Sequence, residues 1–475
     1  MQIKNKFLFV FLLTVVIGSY SCSKRQDAAA TLSVSSSEEL FLAIGGTNEA
    51  TVTANIEWKV NNAVSWCSIT PTTNTGNGKI AVTVQVNDNS ADRMATISVS
   101  GGGLLREIKV RQLGKVASDS IPPDQTGMRN ISSVDLAKDI KVGWNAGNSL
   151  DAIGGETAWG NPKITQRLID SVKAAGFNAV RLPIAWSKFS DAVNYKIDTA
   201  WMARVEEVVN YALKNNMYTI INIHWDGGWM QPTYAKQESV NNRLATMWKQ
   251  IATRFRNYDD HLLFAGTNEV MVDGDYSTPK TEYYTVQNSF NQTFVTAVRS
   301  TGGRNIYRNL VVQGFNTNID HTVNFFKMPG DVAPKRLMVE IHYYDPYNFT
   351  LNENTSITQW GKNATNPSKT ETWANEAYAD GQFQKMKTKF IDAGYPVIMG
   401  EYGAMARLNL GSTAANDEYA GYRKYYMEYI SQSAKSHGLI PFYWDNGGTG
   451  DKGSGIFDRN TGAVRYPEIV KAVTN

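Results

Sequence analysis

Two glutamates, Glu269 and Glu401, each close a short apolar run of the chain, and neighbouring apolar runs end in polar groups of other kinds. Val180-Arg181-Leu182-Pro183, Ile223-His224-Trp225-Asp226, Gly266-Thr267-Asn268-Glu269, Ile341-His342-Tyr343-Tyr344, Gly400-Glu401-Tyr402 and Tyr443-Trp444-Asp445 follow this pattern. Buried charge is costly unless paired, so a folded core has no use for two Glu, two His, an Arg and an Asn along one rim. A single Glu after a strand is more often half of a structural ion pair, but six such groups converging point to a site. Two carboxylates without metal-ligand spacing suit hydrolysis of a glycosidic bond. One protonates the leaving oxygen while the other attacks the sugar or activates water. His224 and His342 fall on different runs with no His-x-x-x-His pattern, so no metal and no other cofactor is expected. The Gly-x-Ser-x-Gly elbow of a serine hydrolase is absent.

These groups need a frame that brings strand ends together. From about residue 130 onward, apolar β-rich runs fall at 141–148, 178–185, 218–225, 262–269, 309–316, 337–344, 396–402 and 438–446. Amphipathic stretches such as Ile164–Ala175, Trp201–Asn215 and Phe383–Ala393 lie between them, two of them closed by Ala175-Gly176 and Asn215-Asn216 as helix C-caps. Eight strand runs alternating with helical patterns predict an α/β fold, a (β/α)8 TIM barrel, in which chemistry gathers at the C-terminal strand ends. A doubly wound sheet is the alternative, but its glycine-rich phosphate turn is missing from the first βα junction.

Ahead of the barrel, residues 31–113 alternate with period two, as in Ile80, Val82, Val84 and Val86, and predict a small all-β sandwich with Trp58 and Trp66 in its core. Residues 114–127 carry Pro122-Pro123 and read as a short semi-rigid linker to a catalytic domain over 128–475. Residues 1–22 combine Lys4 and Lys6 with the apolar run Phe7–Ile17, too short to span a bilayer, and read as a secretory signal. The small residues before Cys22 are similar to a bacterial lipobox, which predicts lipidation at Cys22 and anchoring in the cell envelope at the outer membrane. With only Cys22 and Cys67 present, a lipidated Cys22 excludes an intramolecular disulfide. Composition narrows the partner. A net charge of +3 over 475 residues without Lys/Arg clusters argues against nucleic acid, and 23 Tyr, 18 Phe and 12 Trp suit a neutral, stackable ligand.

Arg181, His224, Asn268-Glu269, His342 with Tyr344, Gly400-Glu401 and Trp444, in this strand order, resemble glycoside hydrolase family 5, and more narrowly its subfamily 4 of endo-β-1,4-glucanases and xyloglucanases. Trp66-Cys67-Ser68-Ile69, Arg93 and Val110-Arg111-Gln112-Leu113 resemble a BACON-type domain, read here as a spacer. The family resemblance implies a retaining, endo-acting hydrolase of β-1,4-glucan backbones (cellulose, mixed-linkage glucan, xyloglucan), acting as a monomer on plant cell-wall polysaccharide. It implies Glu269 as acid/base, its pKa raised by burial and by Glu401, and Glu401 as nucleophile, kept ionised by Arg181 and Tyr344. His342 and Tyr344 would position and tune Glu401, Asn268 would bond the 2-hydroxyl, and Trp444 would floor the subsite at the scissile bond. His224 and Trp225 would contact substrate, with Asn145 and Asp151 lining distal subsites; Trp229 is as readily loop packing as a stacking surface. Two departures stand out: Val270 replaces the proline common after the acid/base, and Trp225 replaces a second histidine after strand three. A xyloglucan-specific enzyme and a β-mannanase share this rim. A surface glycan-binding protein would lose a carboxylate, and both are intact.

If Cys22 carries lipid, Cys22→Ala converts a detergent-extracted membrane protein into a soluble one. Recovery of the unaltered protein in culture fluid at full yield contradicts the anchor.

Overall fold

In the computed structural model, residues 29–475 are described apart from 42, 44, 90 and 115–120. The signal and Cys22 lie outside the described residues, as do residues 115–120 between sandwich and barrel. Among the described residues no helix is long and apolar enough to cross a membrane.

The eight apolar runs form a closed parallel barrel. Its strands are β1 (Gly143–Ala146), β2 (Ala179–Leu182), β3 (Tyr218–Asn222), β4 (Leu262–Ala265), β5 (Leu310–Gln313), β6 (Leu337–Tyr343), β7 (Val397–Tyr402) and β8 (Leu439–Asp445). Each observed strand stops short of its apolar run or close to its end, so the polar residues that follow are free to build loops on one face. Helices separate the strands, among them Gln166–Ala174, Thr199–Lys214 and Glu376–Met386. Their apolar stripes pack onto the outward strand residues as one large core. The barrel interior is filled by Ala179, Tyr218, Ile220, Leu263, Ala265, Val311, Met338, Ile398, Ile440 and Phe442. Leu136 of the helix Ser133–Asp139 closes the bottom, a helix capped by the Ser132 side chain accepting from the Asp135 N–H. Gly143 has no side chain because a Cβ there would lie 1.9 Å from the Phe442 ring.

The N-terminal region is two packed sheets. One holds Leu32–Val34, Gly46–Ala54, Gly78–Val84 and Cys67–Thr70; the other holds Glu38–Phe41, Leu104–Gln112, Arg93–Gly101, Glu57–Asn62 and Thr73–Thr75. Trp58 is buried in their common core, whereas Trp66 is half-buried with the Arg93 guanidinium 4.4 Å above its ring. A side-chain contact from this module to the barrel joins Glu38 and Lys327 at 3.9 Å, and both partners are open to solvent, where screening leaves such a pair weak.

The expected linker is not all linker. Ile121–Pro123 pairs in parallel with Gly302–Gly303 of the barrel, so the chain is already strapped to the second domain before its helices begin. A chain shortened to start just before Ile121 therefore keeps the thermal midpoint of the barrel. Extending the cut past Pro123 uncovers Gly302 and Gly303 and lowers that midpoint by about 2–5 °C; an equal loss from both cuts would show that the sandwich itself buttresses the barrel.

Candidate active site

Side chains alternate across a strand, so the inward set of the barrel interior continues every second residue toward the C-terminal rim. Two beyond Gly143 is Asn145, two beyond Ala179 is Arg181, two beyond Val311 is Gln313 and two beyond Met338 is Glu340, followed by His342. Two beyond Phe442 is Trp444. On β7 the same step from Ile398 would reach Gly400, not Glu401. A β-bulge there shifts the register against both neighbours, with Ile341 facing Met399 but His342 facing Glu401. The extra residue moves Glu401 from the outward to the inward phase.

Arg181 sits at the centre, wholly buried. Its Nε lies 2.9 Å from Glu340 Oε1, and its two terminal nitrogens reach Glu401 Oε1 at 2.9 Å, Asn145 Oδ1 at 3.0 Å and Asn268 Oδ1 at 2.7 Å. Asn145 in turn donates to the Gly400 carbonyl at 2.8 Å, tying the bulge to β1. The second oxygen of Glu401 accepts from the Tyr344 hydroxyl at 3.0 Å. His342 points Nδ1 at Glu269 Oε1, 2.7 Å away, and at Glu401 Oε2, 3.7 Å away, while its Nε2 lies 3.3 Å from Glu340.

The electrostatics follow from burial against pairing. Burial disfavours the charged ring of His342, but Glu401, Glu269 and Glu340 outweigh it and raise the imidazole to about 9. Glu401 is raised above the usual carboxylate range, by burial first and by Glu269 and Glu340, against the opposing pull of His342 and Arg181. Arg181 thus favours the charged form of Glu401, as the sequence predicts, but does not by itself offset the burial. Glu269 differs again: its side chain is 40% exposed, so the protein alone does not bury it as expected, and a sugar seated over it would supply the cover.

A cleft of about 520 Å³ opens beside these groups, lined by His224, Trp225, Trp229, Glu269, His342 and Tyr344 among others. Trp444 stacks on His224 with ring centroids 5.8 Å apart, and burial followed by Arg181 keeps that imidazole well below its ordinary pKa. Trp225 is half exposed at the cleft wall. Trp229 also faces the cleft, backed by the Arg243 guanidinium 4.4 Å from its ring. The Val270 carbonyl accepts from the Asn316 N–H at 3.0 Å and ties the turn after Glu269 to the loop after β5.

Several expected substrate contacts are corrected. Asn145 is wholly buried beneath Arg181 and orders the site from below rather than lining a subsite. Arg181 itself reaches no solvent. Asp151 is buried and accepts the N–H groups of Asn148 and Ser149, holding the turn after β1; burial raises it to about 6. The shortest bond of His342 goes to Glu269, not Glu401. The reading missed Glu340 and Gln313, whose Nε2 donates to Glu340 at 2.6 Å; period-two counting along β5 and β6 was the available signal. Glu269, His342 and Glu401 bring ligand-type atoms within 4.8 Å of one another, but an imidazole that donates from both nitrogens offers a cation no lone pair. A second such cluster, Asp259, Asp260 and His261, is already engaged with Arg129 through Asp260.

Comparison with known proteins agrees with this geometry. The cellulase family, glycosyl hydrolase family 5, matches residues 144–450, and the BACON family, described as a putative N-terminal binding domain, matches residues 57–113. The chain is 40% identical to a xyloglucan-specific endo-β-1,4-glucanase of Bacteroides ovatus, covering 98% of this chain and 95% of that one. It is 41% identical to an endoglucanase A of Paenibacillus barcinonensis, covering 73% of this chain and 90% of that one. A solved Bacteroides ovatus family 5 xyloglucanase bound to a XXXG heptasaccharide superposes with a TM-score of 0.80 at 40% identity, over 93% of this chain and 99% of that one.

The burial of Asn145 separates positioning from binding. Asn145→Ala removes one bond to a charged guanidinium and one to the bulge, so kcat falls about 10- to 100-fold while KM stays within a factor of about two. A raised KM with kcat intact would return Asn145 to the substrate.

Proposed function

The chain belongs to glycoside hydrolase family 5, and from that premise we propose that it is a retaining endo-β-1,4-glucanase acting on glucan backbones that include xyloglucan. The observation that carries the stereochemical part is the short distance between the two carboxylates, an oxygen of Glu269 lying within 4.8 Å of one of Glu401. Retaining sites hold their carboxyl groups about 5–5.5 Å apart, and inverting sites leave about 6.5–9.5 Å for a water. An approach of this order supports the retaining reading. Xyloglucan enters the proposal through the near full-length likeness to the Bacteroides ovatus enzyme, whose name states that specificity.

In the proposed cycle Glu269 gives its proton to the leaving oxygen while Glu401 attacks the anomeric carbon and forms a glycosyl-enzyme. Arg181 and Tyr344 each hold one oxygen of Glu401, which fixes the attacking lone pair along the cleft. His342, as an imidazolium 2.7 Å from Glu269, stabilises the carboxylate that Glu269 becomes. Water then enters, Glu269 takes its proton, and the sugar leaves with its configuration retained. Asn268, held by Arg181, is turned toward the 2-hydroxyl, and Trp444 with Trp225 offers ring faces to the sugars. We further propose that the enzyme works as a monomer tethered by lipid on Cys22 at the outer membrane, with the sandwich as spacer.

Leaving-group chemistry separates the two glutamates. Glu269→Ala abolishes cleavage of carboxymethylcellulose and xyloglucan by about 10³-fold or more, yet still forms glycosyl-enzyme from aryl glycosides whose phenol departs unaided, with azide rescuing turnover to a β-glycosyl azide. Glu401→Ala gains nothing from an activated leaving group. The reverse pattern would exchange the roles, and normal polysaccharide hydrolysis by both variants would end the proposal.

A further inference from the structure

Glu340 is a third carboxylate in the site, and the proposed cycle does not use it. It lies on β6, two residues before His342, with no exposed surface. Arg181 Nε and His342 Nε2 both converge on its Oε1, at 2.9 and 3.3 Å, and Gln313 donates to its Oε2 at 2.6 Å. Gln313 cannot turn around to present its own oxygen instead, because that oxygen accepts from the Thr267 N–H at 3.0 Å and the Thr267 hydroxyl at 3.1 Å. Room for the carboxylate is built into the bulge, since a Cβ on Gly400 would meet Glu340 Oε1 at 2.0 Å. Arg181 and then His342 outweigh the effect of burial and hold Glu340 below the usual carboxylate range, so it is an anion throughout the neutral region.

Three carboxylates and two cations then share one enclosure. With Arg181, His342, Glu340 and Glu401 charged, the cluster is neutral when Glu269 keeps its proton, which is the form a general acid needs. Without the charge of Glu340, neutrality is reached with one proton fewer. Either Glu269 or His342, 2.7 Å apart, must give it up. We propose that Glu340 is a positioning residue that sets the number of protons in the site, engaging Arg181 and the inner nitrogen of His342 so that Glu269 and Glu401 retain one proton between them. The inference rests on the hydrolase reading above. The ionisable groups around Glu340 are Arg181 from β2, Glu401 from β7, His342 from its own strand and Glu269 beyond β4; Gln313 from β5 is neutral.

The test removes the charge and then restores it next door. Glu340→Gln keeps the side-chain volume and lowers every ionisation of the cluster, moving the alkaline limb of kcat/KM on xyloglucan to lower pH by about one to three units. Combining Glu340→Gln with Gln313→Glu exchanges the amide and the carboxylate, preserves each hydrogen bond and returns the limb most of the way. A structural role alone would lower kcat without displacing the limb. Because the unaltered protein has five histidines, imidazole 15N NMR of it also follows His342 directly, which is expected to remain charged to beyond pH 8. An unmoved limb in the single variant, a limb equally displaced in both variants, or His342 titrating near 6.5 overturns the proposal. Lack of glucanase activity in the unaltered protein would instead overturn the hydrolase reading, and the His342 titration would still decide the charge argument.

Discussion

The buried guanidinium of Arg181 is the constraint on which the rest of the site depends. A cation with no solvent contact is tolerated only if its charge is paired, and leaving such a charge unpaired costs roughly 3–5 kcal/mol. Here the demand is met by two carboxylates and two amide oxygens drawn from β1, β6, β7 and the segment after β4. Four separate parts of the barrel are therefore held at one level by a single side chain. The same contacts orient Glu401 and Asn268, so the ordering of the barrel rim and the ordering of the reacting groups are one event. A planar fork serves this purpose where an ammonium would not, because its donors leave in fixed, divergent directions.

Much of this is legible in the sequence. The eight apolar runs are the eight strands, and the polar residues closing them are the groups that meet at the rim, since alternation and strand polarity leave them nowhere else to go. What was not legible has identifiable causes. Asn145 and Asp151 sit at a strand end like the rest, and sequence position does not distinguish a residue under the site from one facing the cleft. Glu340 and Gln313 lay inside their apolar runs rather than after them, where a buried polar residue is masked by its neighbours. The bulge at Gly400 is invisible to periodicity, because an extra residue in one strand is defined only against the register of its partners. Ile121–Pro123 of the proline-bearing stretch also proved to be a strap on the barrel, which depends on finding Gly302–Gly303 far along the chain.

A second buried pair supports the opposite wall. Asp445 and Arg459 are both buried, 3.0 Å apart, and Asp445 also accepts from the Trp144 indole and from the N–H groups of Gly447 and Ile456. Trp444 precedes this knot directly, and its ring stacks on His224. β8 and its loop thus brace one side of the site and Arg181 the other, and Asn145 joins the two by accepting from Arg181 while donating to the Phe442 and Tyr443 carbonyls.

The unequal exposure of the two glutamates directs traffic. Glu401 is closed in behind Arg181, His342 and Tyr344, whereas Glu269 opens to the cleft. In the proposed cycle a sugar bonded to Glu401 seals that side, and water can approach the anomeric carbon only past Glu269, through space the departing segment occupies. Release of the first product is then a precondition of the second chemical step rather than an event after it. On a long polymer, that cycle has its second step wait until the cut end has left the doorway.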